Sequence, residues 1–160
     1  MLCLRYADAD DVPFIVQTQD LPHIKEFVGS SSDGEISASI SDPDEAYILA
    51  LRDENIPVGF VYLRQINRPE RSIELYRLAI SEPNKGFGSA FMELIIAEAF
   101  GPLNANRLWL DVFPQNIPAR KIYRRCGFVE EGTLRDIYLW NGAFQSTIIM
   151  SILAREYAMR

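Results

Sequence analysis

Hydrophobic and polar positions alternate in some segments of the chain and recur with a helical period in others. Alternation over Leu2–Tyr6 predicts a half-buried strand. Two apolar runs, Tyr47–Leu51 and Pro57–Gln65, flank the polar segment 52–55 and predict a β-hairpin. A further strand is predicted over Arg71–Ile80.

Helical patterns and further strands follow in the remaining segments. One or two short helices are predicted within residues 12–28, and the serine- and glycine-rich segment Gly29–Gly34 is predicted to be a flexible loop. A long helix is predicted over Phe87–Phe100, ending at Gly101. The later elements are a strand over Arg107–Phe113, a helix over Ile117–Cys126, and strands over Phe128–Leu134 and Phe144–Leu153 on either side of the turn Asn141-Gly142.

The order of these elements predicts the fold class. Strand, helix and strand in succession between residues 72 and 113 imply a parallel crossover, whereas the hairpins imply antiparallel pairing on either side. We therefore expect an α/β (α+β) architecture, in which helices pack on a mixed, mostly antiparallel sheet. A length of 160 residues suits a single domain spanning 1–160.

Composition and charge exclude several classes of protein. Hydrophobic residues make up 48% and charged residues 24%, which is the balance of a globular rather than a disordered chain. A net charge of −6 argues against binding to nucleic-acid backbone and is compatible with a cationic substrate. The longest apolar stretches, such as Ala143–Leu153, are interrupted by polar residues, so no membrane span is expected.

The N-terminal segment and the cysteines bear on location and metal binding. No basic segment precedes a long apolar one at the N-terminus, so we expect no signal peptide. Cys3 and Cys126 are too few for a disulfide framework, which makes a reducing, cytoplasmic location the default expectation. Two distant cysteines and one histidine also make a zinc site unexpected, and no metal is predicted.

A glycine-containing turn is the first candidate binding element. Residues 78–90 read as the end of a strand, a tight turn with Gly86 and Gly88, and the start of a helix. Such glycines let the backbone approach a ligand, and the first N–H groups of the helix favour an anion such as phosphate. The spacing is neither that of a P-loop nor that of a dinucleotide-binding fingerprint. An ordinary strand-to-helix turn remains the alternative.

The second candidate element follows the strand that ends near Phe113. Asn116 is placed to cap the next helix, and Tyr123 lies two turns further along on the same helix face. Gly127 stands where a C-terminal helix cap is expected. A polar cap and a tyrosine hydroxyl thus point towards the carboxyl end of a neighbouring strand. Core packing of Tyr123 is the alternative.

Taken together, these two elements resemble the GNAT superfamily of N-acetyltransferases over roughly residues 57–156. The tail from Glu130 to Leu153 is similar to the branch that contains ribosomal-protein and polyamine acetyltransferases. The resemblance implies a GNAT fold with helices on both faces of the sheet. It also implies that the central parallel strands, ending here at Ile80 and Phe113, splay apart to hold acetyl-CoA.

The resemblance also implies roles for individual residues. The backbone of Leu78, Ala79 and Ile80 would pair with the pantetheine arm, and an N–H near Ile80 would stabilise the oxyanion. The pyrophosphate would lie on the turn formed by Asn84, Lys85, Gly86, Phe87, Gly88 and Ser89. Asn116 would hold the pantetheine side, and Tyr123 would protonate the departing thiolate. Glu74, Asp111 or water remain open as the base that deprotonates the amine.

Two departures from the family pattern concern the same turn. The family usually has Gln or Arg three positions before the first glycine, where this chain has Pro83, which has no N–H to donate. The loop is also about two residues shorter than usual, and Lys85 is expected to compensate by charge. A catalytically inactive, CoA-binding or regulatory protein of the same fold is therefore kept as an alternative, and a nucleotide-binding domain as a third.

The acceptor and the surrounding side chains are less constrained by sequence. A polyamine, an aminoglycoside, an amino acid or a protein N-terminus all remain open as the amine acceptor, with no nucleic-acid or membrane partner expected and a homodimer as an open oligomeric state. Trp140 and the segment 27–35 would flank the place where acceptors enter. His23 is expected to be a surface residue, and the sequence identifies no catalytic partner for it. A basic cluster on the last helix could reach the 3′-phosphate of CoA: Arg120, Lys121, Arg124 and Arg125.

Overall fold

A seven-stranded sheet runs through the whole molecule in the computed structural model, which describes residues 1–160. Its strands are β1 (Leu2–Tyr6), β2 (Glu45–Arg52), β3 (Ile56–Arg64), β4 (Ser72–Ile80), β5 (Arg107–Val112), β6 (Val129–Trp140) and β7 (Ala143–Leu153). Their spatial order is β1-β2-β3-β4-β5-β7-β6. Every neighbouring pair is antiparallel except β4 and β5, which are parallel.

Helices cover both faces of this sheet and bury a separate apolar core on each. The helices are α1 (Val12–Gln19), α2 (Pro22–Lys25), α3 (Asp33–Ser41), α4 (Phe87–Phe100), α5 (Ile117–Arg125) and α6 (Ala154–Tyr157). One core lies under α1, α2 and α3 and includes Ile15 and Phe60. The other lies under α4 and includes Phe91 and Leu108. None of these helices is long and apolar enough to span a bilayer.

The parallel pair opens after three rungs, which creates the central gap of the sheet. Residues Ser72–Glu74 of β4 pair with Arg107–Trp109 of β5, and beyond these rungs the two strands are no longer hydrogen-bonded to each other. The opposite edge of β4 stays paired with β3, although a register shift falls between Tyr62 and Leu63. The expected mixed sheet, with a central parallel pair that splays apart, is thus confirmed.

The predicted elements are confirmed within a few residues, with three exceptions. The segment Gly29–Gly34 is not a loop throughout, because α3 begins at Asp33. The hydroxyl of Ser32 accepts from the N–H of Glu35, whose carboxylate accepts in return from the N–H of Ser32. Strand β6 does not end at Leu134 but continues to Trp140, and the short helix α6 was not predicted.

Candidate active site

A cavity of about 600 Å³ passes through the gap between β4 and β5. On one face of the sheet it is lined by Met92 of α4 and Ile122 of α5. On the other face it is lined by β6 and by the segment that contains α2, with Trp140 and Phe27 as examples. The gap therefore connects two chemically different ends, one at the glycine turn and one at the outer face of β5, β6 and β7.

The glycine turn supplies backbone donors to the first end of the cavity. Gly86 has φ +76° and precedes α4, and no side chain caps the helix. The N–H groups of Phe87, Gly88 and Ser89 donate to no protein atom. A β-carbon at Gly88 would lie 3.2 Å from Cδ1 of Ile122, so α5 approaches closely at this point. Free N–H groups at the start of a 14-residue helix favour an anionic ligand.

Most of the predicted CoA-binding residues border the cavity, and two do not. The bordering ones are Leu78, Ile80, Asn84, Gly86, Phe87, Gly88, Ser89 and Asn116. Ala79 is buried in the core under α1, α2 and α3. Lys85 lies outside the lining, and its ammonium pairs with the carboxylate of Glu82. The charge of Lys85 is therefore already matched inside the protein.

The basic cluster of α5 is likewise engaged within the protein. Arg120 and Arg124 both pair with the carboxylate of Glu130. Arg120 also donates to the carbonyl of Pro114. Of the four basic side chains predicted to reach a phosphate, only Lys121 and Arg125 form no ion pair.

The free edge of β4 carries backbone groups of Leu78 and Ile80 into the cavity. At its end, Nε2 of His23 donates to the carbonyl oxygen of Ile80 over 2.9 Å. His23 is exposed, as expected, and its side chain joins α2 to the end of β4. Sequence spacing could not have indicated this contact, because 57 residues separate the two groups.

Tyr123 lines the cavity from α5, and the cap of that helix is the one expected. Oδ1 of Asn116 accepts from the N–H of Ala119 over 3.4 Å. The Tyr123 ring packs against Phe128 with ring centroids 5.7 Å apart. Loss of solvation raises the pKa of Tyr123 to about 12, and the negative charge of Asp111 adds to the rise. The hydroxyl thus stays protonated at neutral pH and is available as a proton donor.

Asp111 lines the same cavity from β5 and acts electrostatically on its neighbours. Arg107, on the same strand, pairs with Glu131, and no basic side chain forms an ion pair with Asp111. Burial raises the pKa of Tyr138 to about 12, with the negative charge of Asp111 as a further cause. Asp111 thus lies near two phenols, Tyr123 and Tyr138, that stay protonated at neutral pH.

Glu74, the other candidate base, is buried and forms an ion pair with an arginine. It is 7% exposed and is not part of the cavity lining. Nε of Arg64 lies 3.0 Å from its Oε2 atom. Burial raises the pKa of Glu74, although the charge of Arg64 acts in the opposite direction. The structure thus places Asp111, and not Glu74, beside Tyr123.

Aromatic side chains and the segment after α2 close the outer end of the cavity. The indole N–H of Trp140 donates to the carbonyl of Glu26 over 3.2 Å. The ring centroids of Trp140 and Phe113 are 5.3 Å apart. From β4, Arg77 donates to the hydroxyl of Ser31 over 2.7 Å. Residues 23–31 are therefore tied to strands on both sides of the gap, and Trp140 contacts them through Glu26.

Comparison with known proteins agrees with this geometry. The model of the acetyltransferase (GNAT) family matches residues 12–128. A spermidine N(1)-acetyltransferase of Vibrio cholerae is 35% identical over 104 residues, which are 64% of this chain and 60% of that protein. The match therefore spans less than two thirds of that relative. An L-amino acid N-acetyltransferase of Escherichia coli is 28% identical over 94% of this chain and 96% of its own length.

Similarity to solved structures extends over nearly the whole chain. The crystal structure of spermidine N-acetyltransferase from Vibrio cholerae, in complex with CoA and spermine, superposes with a TM-score of 0.87. The two proteins are 28% identical, and the match covers 98% of each chain.

Proposed function

The chain belongs to the acetyltransferase (GNAT) family, and from this premise we propose that it transfers an acetyl group from acetyl-CoA to a primary amine of a polyamine. The observation that carries the proposal is the continuous cavity through the split sheet. It joins a turn with free backbone N–H groups to an end that contains the unpaired carboxylate of Asp111 and the protonated hydroxyl of Tyr123. An anionic thioester and a cationic amine would thus meet between β4 and β5.

The residues at the glycine turn fit the phosphates of acetyl-CoA. Phe87, Gly88 and Ser89 offer three unengaged N–H groups, which is the chemistry that a pyrophosphate needs. Pro83 removes one potential donor from the preceding loop, but these three donors lie beyond it. Lys85 does not compensate for Pro83, because its ammonium is paired with Glu82. The backbone edge at Leu78 and Ile80 would hold the pantetheine arm, with Asn116 bordering the same space.

Proton transfer would be divided between Asp111 and Tyr123. When bound, acetyl-CoA supplies a thioester whose carbonyl carbon accepts the amine nitrogen and whose sulfur leaves as a thiolate. Asp111 would take the proton that the acceptor ammonium must lose before it can attack. Tyr123 would give its hydroxyl proton to the leaving sulfur. Acetylation removes two protons from the acceptor ammonium. Asp111 would take the first and release it to solvent; the second, lost from the nitrogen as the C–N bond forms and the C–S bond breaks, would replace the proton that Tyr123 gives to the sulfur.

A polyamine fits the acceptor end better than an amino acid does. Asp111 and Glu26 border this end without an ion-pair partner, and the aromatic residues Tyr76, Phe27 and Trp140 also line it. Carboxylates and aromatic faces both attract ammonium groups. An amino-acid acceptor would in addition need a cation for its carboxylate. Arg77 is the arginine that lines the cavity, but its guanidinium already donates hydrogen bonds to the hydroxyl of Ser31 and the carbonyl of Ser30.

Thermal unfolding followed by an acceptor screen tests the proposal. Acetyl-CoA at about 100 times Kd should stabilise the protein by roughly 2.7 kcal/mol, whereas ATP and NAD should not. Thiol release should then be measured with spermidine, an aminoglycoside, an L-amino acid and an N-terminal peptide, and spermidine should give the highest kcat/KM. Stabilisation by acetyl-CoA without thiol release from any amine would instead identify an inactive CoA-binding protein.

The same assay separates the two candidate bases. Asp111→Asn keeps the size of the side chain but removes its basicity, and we expect it to lower kcat/KM for spermidine by about 100-fold. Glu74→Gln should leave kcat/KM within about threefold of wild type, since Glu74 lies outside the cavity lining. A larger loss for Glu74→Gln than for Asp111→Asn would reverse the assignment.

A further inference from the structure

Thr147 presents a buried hydroxyl that the fold leaves without a hydrogen bond. The residue lies on β7, is 2% exposed and lines the cavity. Its Oγ1 atom is one of four buried side-chain atoms without a hydrogen-bond partner; the others are Nε of Arg52, Oε2 of Glu74 and Nε of Arg120. Those three residues form ion pairs and lie outside the cavity lining. Thr147 alone combines an unpaired hydroxyl with the cavity wall.

A buried hydroxyl without a hydrogen-bond partner is energetically unfavourable. Buried polar groups are almost always hydrogen-bonded, because leaving one unpaired costs about 1 to 3 kcal/mol. A threonine on a strand also has an apolar alternative of the same shape in valine. Of the next positions on the same face of β7, Ile149 is apolar, and the hydroxyl of Ser151 donates to Glu131. A hydroxyl kept on the cavity wall is thus suited to a partner that arrives from the cavity.

Strand register brings this hydroxyl to the same face as Asp111. Asp111 pairs with Ile149, and Val112 with Ile148, in the antiparallel β5–β7 ladder. Thr147 is two residues from Ile149, so its side chain shares the Asp111 face. The two positions are diagonal neighbours, which places them roughly 7 to 8 Å apart. They form no direct hydrogen bond with each other, and both line the cavity.

Tyr138 borders the cavity near Asp111. It lies on β6 opposite Gln145, and burial raises the pKa of its hydroxyl, with the charge of Asp111 as a further cause. Its ring meets that of Phe113 edge-on, with centroids 6.2 Å apart. Tyr138, Asp111 and Thr147 thus all line the same end of the cavity.

On the basis of the proposed function, we propose that Thr147 is a positioning residue that binds the nitrogen of the acceptor amine. One N–H of the ammonium donates to Asp111 and a second donates to the hydroxyl of Thr147. After the proton has passed to Asp111, the bond to Thr147 still orients the nitrogen, so its lone pair points into the gap between β4 and β5. Thr147 takes no proton and forms no covalent bond; it determines where the nitrogen lies.

Thr147→Val tests this role, because it removes the hydroxyl and keeps the shape of the side chain. We expect KM for spermidine to rise about tenfold, the loss typical of one hydrogen bond to a charged group, with KM for acetyl-CoA unchanged. The Tm should stay the same or rise, since an unpaired buried hydroxyl has been removed. Thr147→Ser should restore KM to within about threefold of wild type. Thr147→Ala lacks the hydroxyl too and serves if the valine variant folds poorly.

Thr133→Val is the matched control, because Thr133 is an exposed residue of the adjacent strand outside the cavity. An unchanged KM for spermidine in Thr147→Val, or an equal rise in Thr133→Val, would overturn the role of Thr147 and leave the proposed function standing. A joint rise of both KM values would make Thr147 structural and would also overturn it. A wild-type protein that releases no thiol with any amine would overturn the proposed function, and this role with it.

Discussion

At the residue scale, the chemistry of the site depends on a single carboxylate that the fold leaves without a cation. The charge of Asp111 contributes to the raised pKa of Tyr123, of Tyr138 and of Glu74. Two hydroxyls beside it therefore remain protonated at neutral pH. Under the proposed function, burial and the charge of Asp111 together keep the hydroxyl of Tyr123 protonated for its role as proton donor.

Replacing Tyr123 by phenylalanine tests its role as general acid. We expect Tyr123→Phe to lower kcat by 10- to 1000-fold, roughly the contribution of one general acid, with Kd for acetyl-CoA nearly unchanged. Because the Tyr123 pKa is about 12, the wild-type rate should not fall between about pH 7 and 10, where a phenol of ordinary pKa begins to ionise. Steady-state kinetics and calorimetric binding provide the measurements. A joint loss of binding and turnover would make Tyr123 a packing residue against Phe128.

Some of these residues could be identified from the sequence, and others could not. Asn116 and Tyr123 lie at helical spacings within one segment, so the motif itself brings them together. Thr147 and Tyr138 come from β7 and β6, and their approach to Asp111 depends on the β5–β7 register and on the irregular pairing between Leu134 and Tyr138. That register forms only when the three strands pair, so it cannot be predicted from the local sequence of any one strand.

At the element scale, the start of α4 combines a left-handed turn residue with an uncapped helix. Gly86 has φ +76°, and nothing lies within 4 Å of a β-carbon built there. A substitution at Gly86 therefore meets a conformational cost without a steric clash. The shape of the turn, rather than any side chain, aims the free N–H groups into the cavity.

Gly86→Ala should separate backbone strain from ligand binding. We expect a loss of about 1 kcal/mol, or about 2 to 4 °C in Tm, because an L residue disfavours positive φ. Kd for acetyl-CoA should also rise severalfold as the turn relaxes. Gly142→Ala is the matched control, since Gly142 has φ +80° and equally open surroundings in the β6–β7 turn. It should lower Tm similarly without changing Kd, and equal effects on Kd would argue against a phosphate site at the turn.

Helices and strands were predictable where a local pattern was sufficient. The periodicity over Phe87–Phe100 matches α4 at both ends. Helix α3 as a whole was not predicted, because the serine and glycine composition at its start outweighed the capping signal of Ser32 and Glu35. The second half of β6 was missed because it resumes after a register shift, with Asp136 at φ +50°. Such a shift interrupts the alternation that identifies a strand.

At the scale of the whole molecule, charge and cavity support the same acceptor class. The chain carries a net charge of −6, and Asp111 and Glu26 add unpaired carboxylates at the outer end of the cavity. A negative field attracts a polycation and does not attract a neutral amine. The net negative charge of the sequence did not by itself identify the acceptor. The positions of the unpaired carboxylates at the outer end of the cavity make a cationic acceptor the better fit.

Ionic strength should therefore affect the two substrates differently. Between about 0.01 M and 0.15 M salt the screening length falls from about 30 Å to about 8 Å, so we expect kcat/KM for spermidine to fall severalfold. KM for the anionic acetyl-CoA should not rise in parallel. Glu26→Gln should reduce the salt dependence for spermidine, as measured by initial rates across the salt series. A kcat/KM that does not vary with salt would mean that the field plays no part in acceptor binding.

The two cores of the sheet differ in the span of chain that each requires. The core under α1, α2 and α3 is built from residues between Val12 and Ala79, whereas the core under α4 extends from Ala46 to Ile152. During synthesis from the N-terminus, the first core has all its residues once position 79 has left the ribosome. The second core must wait for β7, the strand that carries Thr147. The strand that carries Thr147 is therefore synthesised after every other strand of the sheet.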